Sequence, residues 1–492
     1  MTYLLGFDIG SSSVKAALVS AHSRQTVAVA NWPKQELPIQ ATQPGWAEQD
    51  PDEWWNCCQK TVEELLQKTG IQPHQIDAIG ISYQMHGLVL VGKDHQPIRP
   101  SIIWCDSRAI SIGENAFNTL GQSYCMHHFL NSPGNFTASK LKWVLENEPN
   151  AIPKIQHFLL PGDYIALKMT GTATTTVSGL SEGILWDFQS NQPAYQLLEH
   201  LQIPTDWIPE IKPTFGHQGS LKAEAAQFLG LQKGTLVTYR AGDQPNNALS
   251  LNALQPGEVA ATGGTSGVIY GVIDQLKGDP LNRVNSFAHV NHSTENPRIG
   301  VLLCINGAGS QYRWIRQQIA LSDQSYVAME TEAQSVPPGA EGLLIHPFGN
   351  GAERMLGNQN RGATITGIDF NRHQRAHLYR AALEGIAFAF VKGTQVLQEL
   401  GLNLSVLRAG NDNLFQSTIF SETIAQLTGS RIELYPTTGA VGAALAAGVG
   451  LGHWPSPEEG MIAEPPAKVI LPKPAAPTLI QAFNAWNNLE QP

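Results

Sequence analysis

A chain of 492 residues can build two domains with full cores, and 42% hydrophobic against 15% charged residues is a globular composition, not a disordered one. The formal net charge of −10 argues against nucleic acid as the main partner, but not against a nucleotide, which needs only a local nest of donors. No run reaches the ~18 apolar residues of a membrane span, no basic signal-peptide region opens the chain, and the five cysteines include no C-x-x-C. The expectation is a reduced, cytoplasmic protein with no membrane partner and no structural zinc.

Tyr3–Ile9 alternates like a strand, Gly10-Ser11-Ser12-Ser13 turns, and Val14–Ser20 returns as a second strand. Val27–Leu37 continues that sheet. Asp50, with Pro51 after it and Glu53 three residues on, predicts a capped helix running to about Gly70. Trp46, Trp54 and Trp55 beside it are expected as core and hinge packing before a sugar platform. Ala78–Leu90 reads as strand, polar interruption, strand. In the interruption, Gln84-Met85-His86-Gly87, the side chains of Gln84 and His86 can bind hydroxyls and Gly87 permits close approach. A satisfied turn histidine is the plainer alternative. Gly87–Lys93 matches most of a phosphate loop, but Asp94 stands where Ser or Thr is required and the middle residues look like strand, so this match is rejected. Ser101–Arg108 ends a strand in Trp104, Asp106 and Arg108, either a surface ion pair or the lining of a polyol site. Helices are predicted over Ala138–Glu146, from Pro161 to Thr170, and over Gln218–Leu229, with Gly171–Gly183 an irregular segment over a cleft.

The strand Thr235–Tyr239 leads to a turn carrying an isolated acid, Asp243. Farther on, Gly263-Gly264-Thr265-Ser266-Gly267 joins the strands Glu258–Ala261 and Val268–Ile273. Such a turn points several N–H groups into one concavity that suits phosphate oxygens, and a carboxylate in reach can take the proton of an attacking hydroxyl. A plain hairpin turn is the competing reading. The Gly10 turn has the same character about half a chain earlier, which suggests a duplicated domain, 1–250 and 251–492, with a cleft between the copies. Asp8, just before the first turn, is either a water-mediated Mg²⁺ partner or a turn cap. In the second half, a strand at Gly300–Ile305 and the run Asn306–Gly309 lead into a helix carrying Arg313 and Trp314, a phosphate or base site or a plain N-cap. A buried strand is predicted at Gly342–Phe348 and a mobile surface loop over Gly349–Gly362, holding Glu353 and Arg354. A long helix follows over His373–Leu400, then a strand at Val406–Ala409 and a turn from Gly410 to Asn413. A helix over Leu414–Thr428 closed by Gly429, a small-residue helix over Gly439–Gly450, and a Pro- and Ala-rich tail ending in a short helix complete the chain.

Taken together, DIGSSSVKAALV (8–19), GWAEQDPDEWW (45–55), GISYQMHGLVL (80–90), RPSIIWCDSR (99–108), LPGDYIALKMTG (160–171), AGDQPNNA (241–248), TGGTSGVIY (262–270) and AGNDN (409–413) resemble the FGGY family of carbohydrate kinases, closest to its xylulokinases. The resemblance spans nearly the whole chain. It implies an α/β fold of two ribonuclease-H-like domains of the actin and hexokinase superfamily around a central cleft. The ketose would bind mainly to the first domain, and ATP and Mg²⁺ mainly to the second. Asp243 would be the general base on the sugar's terminal hydroxyl, and Asp8 would support Mg²⁺. Met85, His86 and Gln244 would contact the sugar, with Trp104 and Asp106 nearby. Ser11 and Ser12 on the first turn and Lys15 just after it, with Gly264, Thr265 and Ser266 on the second turn, would lie at the phosphates. Gly309 and Arg313 would lie near the nucleotide, and Gly410 and Asn413 at its adenosine end. The chain departs from the family at Ser11, where Thr is common, at Gln244, where xylulokinases carry Asn, and at Ala409–Asp412, where a run of glycines is usual. The implied reaction is phosphorylation of a ketopentose, D-xylulose first, to the 5-phosphate. A kinase for ribulose, L-xylulose or glycerol, or a non-catalytic sensor of ATP and sugar, are the alternatives. Homologues of this kind are often dimers, so a homodimer is an open expectation, with no interface legible in the sequence.

Overall fold

The computed structural model describes residues 1–461 and 465–488. Two mixed sheets organise it. The first contains β1 (Tyr3–Ile9), β2 (Val14–Ser20), β3 (Thr26–Trp32), β4 (Ile76–Tyr83), β5 (Phe215–Ser220) and β6 (Leu236–Gly242), in the order β5-β6-β4-β1-β2-β3. The second contains β7 (Glu258–Gly263), β8 (Gly267–Ile273), β9 (Asn285–Ala288), β10 (Ile299–Ile305), β11 (Val406–Gly410), β12 (Arg431–Tyr435) and β13 (Lys468–Ile470), in the order β9-β10-β8-β7-β11-β12-β13. Each sheet starts as an antiparallel meander, β1-β2-β3 or β7-β8-β10, and continues from its first strand into two parallel partners, β4 and β6 or β11 and β12. The same topology twice is the duplication that the two glycine turns suggested.

Parallel strands need cover on both faces and therefore read as continuous apolar runs. In β1, Leu4, Leu5, Phe7 and Ile9 are all fully buried. Helix α1 (Pro51–Thr69) packs on β2 and β3. Asp50 caps it by accepting from the Asp52 N–H at 2.9 Å, and Gly70 closes it in the left-handed conformation, as its sequence predicts. Trp54 is buried in that interface and Trp55 stacks on Phe228. Helix α2 (Thr137–Asn147) starts against the Gln84–Gly87 turn, with Thr137 Oγ1 donating to the Gly87 carbonyl at 3.2 Å. Thr174–Thr176 and helix α3 (Val177–Glu182) occupy the stretch expected to be irregular. It is ordered because its hydroxyls are used: Thr176 caps α3 by accepting from Gly179 N–H at 3.0 Å, and Ser178 and Ser181 bond to the backbone of Ala288 in β9. The helix expected from Gln218 begins at Ala223, because Phe215–Ser220 is spent on the sheet-edge strand β5.

Helix α4 (Asp243–Ser250) follows β6 directly. In the second half, α5 (Ala308–Gln318) follows β10, and α6 (Arg375–Glu399) is the buried helix against β8 and β10. The small-residue helix α7 (Gly439–Leu451) crosses back to the first sheet. A Cβ on Gly6 would lie 2.0 Å from the Ala440 carbonyl oxygen, and one on Gly80 would lie 1.9 Å from that of Ala443. Glycine on the strands and alanine on the helix let the backbones meet at that distance.

Candidate functional site

The parallel strands β1, β4 and β6 end side by side, so their carboxyl ends share one edge, where α/β sheets collect ligands. Asp8 on β1 is in register with Ser82 on β4, whose hydroxyl donates to Asp8 Oδ1 at 3.0 Å. Ser82 is in turn in register with Ala241 on β6. The chain leaves β6 without a loop: Gly242 is the cap and Asp243 the first residue of α4, where the sequence suggested a turn. A carboxylate suits a helix N-terminus, yet burial, and then the charge of Asp8, push Asp243 up to about 7 against hydrogen bonds from the backbone and side chain of Gln244. Burial also raises Asp8, which Lys15, opposite it on β2, and Ser82 pull back down. A Cβ on Gly242 would fall 2.6 Å from both Glu182 Oε2 and Met85 Cγ, so glycine at this position lets both side chains lie against the peptide preceding Asp243.

The Gln84–Gly87 turn is tightly held. Met85 is buried and His86 adopts a φ of 61°. The His86 Nδ1 lies 2.9 Å from the Glu182 carbonyl oxygen, and its ring packs against Phe136 and Phe287 at 4.8 and 5.3 Å between centroids. A carbonyl can only accept, so Nδ1 carries the hydrogen. Burial pushes His86 down to about 3, leaving a neutral ring with Nε2 as acceptor. Gln84 does not join it: its side chain is buried and its amide is turned toward Gln49. The indole of Trp104 is half exposed and donates to Ser11 Oγ at 3.3 Å, tying this wall to the first glycine turn. Asp106 is fully buried, with its oxygens taken by the Ala47 N–H and by Arg108, and Arg108 lies over the rings of Trp46 and Trp143. This pair is an internal strut, not a surface pair, and Asp106 presents no free oxygen to a sugar.

On the other side, the turn Gly264–Ser266 joins β7 to β8 and is docked on the start of α5. Gly309 N–H donates to the Gly264 carbonyl at 3.1 Å and Ser310 N–H to that of Thr265 at 3.0 Å. A Cβ on Gly309 would meet Gly264 O at 2.2 Å. Two first-turn donors of α5 are therefore spent on the turn, and the helix start is not free to receive a phosphate through them. A cavity of about 560 Å³ opens beside this joint, lined by Gly264, Thr265, Gly309, Arg313 and Asn413 among others. Five expected nucleotide-side residues thus meet in one place. Ser266 and Gly410 are not in its lining; Gly410 lies against the carboxylate of Asp412. Ser12 on the first turn and Lys15 at the start of β2 are both exposed. Among the described residues no three His, Cys, Asp or Glu side chains gather as a metal cage. A single carboxylate, Asp8, fits a Mg²⁺ that keeps water and phosphate oxygens as its other ligands.

The halves close on each other around these walls. Phe287, packed on His86, belongs to β9, and Cys304 on β10 feels the charges of Arg354, Glu353 and Asp243. The loop expected to be mobile is pinned here: buried Glu353 accepts from Asn306 N–H at 2.9 Å, and Arg354 donates to the backbone of Asn282 and to Asn285 Oδ1. Burial pushes Glu353 up to about 7. Sequence reasoning also passed over Lys140 and Glu182. Lys140 was detectable, since it falls on the apolar stripe of α2 with Thr137, Leu141 and Val144. Burial lowers its ammonium to about 7, opposed first by Asp106. Glu182 gave no signal, because its importance comes from Gly242 and His86, both distant in sequence.

No helix among the described residues is long and apolar enough to cross a membrane. The chain is 29% identical to the xylulose kinase of Bacillus subtilis over 473 residues, 93% of this chain and 90% of that protein. It is 28% identical to the xylulose kinase of Escherichia coli, covering 90% of this chain and 88% of that one. The crystal structure of xylulose kinase from Rhodospirillum rubrum superposes with a TM-score of 0.88 at 27% identity, over 99% of this chain and 98% of the other. Residues 3–250 match the N-terminal domain, and residues 259–451 the C-terminal domain, of the FGGY family of carbohydrate kinases, and the chain belongs to that family as a sugar kinase.

Proposed function

We propose that the protein phosphorylates the terminal hydroxyl of a ketopentose, D-xylulose before others, using ATP, with Asp243 as general base. The observation that carries this reading is the shared strand edge: Asp243 beside Met85 and Glu182 after β6, the His86 turn after the neighbouring β4, and Asp8 on β1 beyond it. In the reaction, the sugar hydroxyl oxygen bonds to the γ-phosphorus, the bond from that phosphorus to the bridging oxygen breaks to release ADP, and the hydroxyl proton passes to Asp243. Asp243 is the acceptor because its carboxylate is held near the operating pH by burial. Gln244 steers it, the neutral Nε2 of His86 accepts from a sugar hydroxyl, and Thr265 and Arg313 hold the nucleotide in the cavity that Gly309 lines. Mg²⁺ bound through water at Asp8 would neutralise phosphate charge. Asp106 acts only by bracing the Trp104 wall. The sugar lies on the first half and ATP on the second, so closure of one on the other keeps water, a competing nucleophile, away from the phosphate.

The xylulose kinases among its relatives support the choice of sugar. Coupled-assay turnover with D-xylulose, L-xylulose, D-ribulose, L-ribulose and glycerol tests it. D-Xylulose is expected to give the highest kcat/KM. A higher value for another member of the panel reassigns the substrate, and no turnover with any overturns the reading.

A further inference from the structure

The amine of Lys140 donates to two carbonyls, that of His86 at 2.8 Å and that of Ile103 at 3.0 Å, and its side chain is wholly buried. These carbonyls belong to separate stretches. One carries the His86 turn after β4, and the other leads directly into Trp104. His86 is a non-glycine residue in the left-handed region, a conformation that persists only where its surroundings impose it. Its ring is fixed by the Glu182 carbonyl, Phe136 and Phe287, but its own carbonyl is fixed by Lys140. The lysine is not there to pair with an acid: Asp106, whose charge favours the ammonium, is committed to Arg108. Two acceptors face a group that offers at least two donors in either protonation state. An apolar side chain there would leave the His86 carbonyl without a donor and the Ile103 carbonyl with only the Asp106 N–H, at 3.2 Å.

We infer that Lys140 is a positioning residue for the sugar site, holding His86 in its left-handed backbone and the Ile103–Trp104 peptide beside it, so that one nitrogen sets two walls. The inference rests on the reading of His86 and Trp104 as sugar contacts given above. Lys140 touches no substrate and acts through those two residues. It therefore governs sugar binding and leaves the nucleotide cavity, built from the other half, alone.

The test is steady-state kinetics of Lys140→Met, which fills most of the lysine's space without a donor, and of Lys140→Ala with and without added propylamine, each first checked by thermal melting. The sugar KM is expected to rise at least about tenfold in both variants, with the ATP KM within about twofold of wild type. Propylamine should restore the sugar KM of Lys140→Ala, whose cavity it can enter, and not that of Lys140→Met. An unchanged sugar KM, a parallel rise in both KM values, absence of rescue, or failure of both variants to fold each overturns the inference. Wild-type protein that turns over no sugar overturns the proposed function and this inference with it. Active wild type with unaffected variants overturns this inference alone.

Discussion

Asp243 shows how a residue in a costly place becomes useful. Its carboxyl is pushed to about 7 by burial and by Asp8, from an ordinary value of 3.8. The folded protein therefore keeps a proton that the unfolded chain has already released. Stability contributed by this group falls as pH rises from about 4 to about 7 and stays lower above that. The role proposed for Asp243 runs the other way, since a base must be ionised, so kcat should decline below about pH 7. Asp243→Asn separates the two effects. Turnover is expected to drop at least about a hundredfold, while the melting temperature at pH 8 rises above that of wild type and the difference closes toward pH 4. Turnover near wild type removes Asp243 from the role of base. A variant that melts lower at pH 8 contradicts the electrostatic account of its environment.

At the level of elements, legibility followed the reach of the interactions. The β1–turn–β2 hairpin, the Asp50 cap and the Gly70, Gly171 and Gly429 helix ends were readable because their signals lie within a few residues. The candidate acid and the turns Gln84–Gly87 and Gly263–Gly267 were readable as motifs at strand ends. Helix α3 was not, because its Thr and Ser residues look like a loop until their partners on β9 are known. The loop at Glu353 failed for the same reason: its composition says mobile, but its anchors lie at Asn306 and Asn282. The joint between α5 and the Gly264 turn is a similar long-range device, and it yields a test. In Gly309→Ala the new methyl would stand 2.2 Å from Gly264 O, so the turn and Thr265 must move. The ATP KM is expected to rise about tenfold with the sugar KM within about twofold. An unchanged ATP KM would show that the turn is not part of the nucleotide site.

Across the molecule, the two halves are joined more intimately than a linker between duplicated domains would require. Helix α7, supplied by the second half, covers the first sheet, and Asn246 Nδ2 donates to its Gly439 carbonyl at 2.9 Å, fastening the helix that begins at Asp243. At the opposite end, Asn131, Ser178 and Ser181 of the first half satisfy the backbone of β9 along the edge of the second sheet. Closure of the cleft must therefore pivot on fixed seams, with neither half free to separate. If so, the halves cannot unfold independently. Gly80→Ala probes this, because its methyl would lie 1.9 Å from the Ala443 carbonyl oxygen, a backbone atom that cannot swing aside. Overpacking of this kind costs about 1–3 kcal/mol. Since α7 belongs to the second half and β4 to the first, the whole calorimetric transition should move to lower temperature as one peak. Two peaks, with only one displaced, would show that the seams do not couple the halves and that α7 is a passenger on the first sheet.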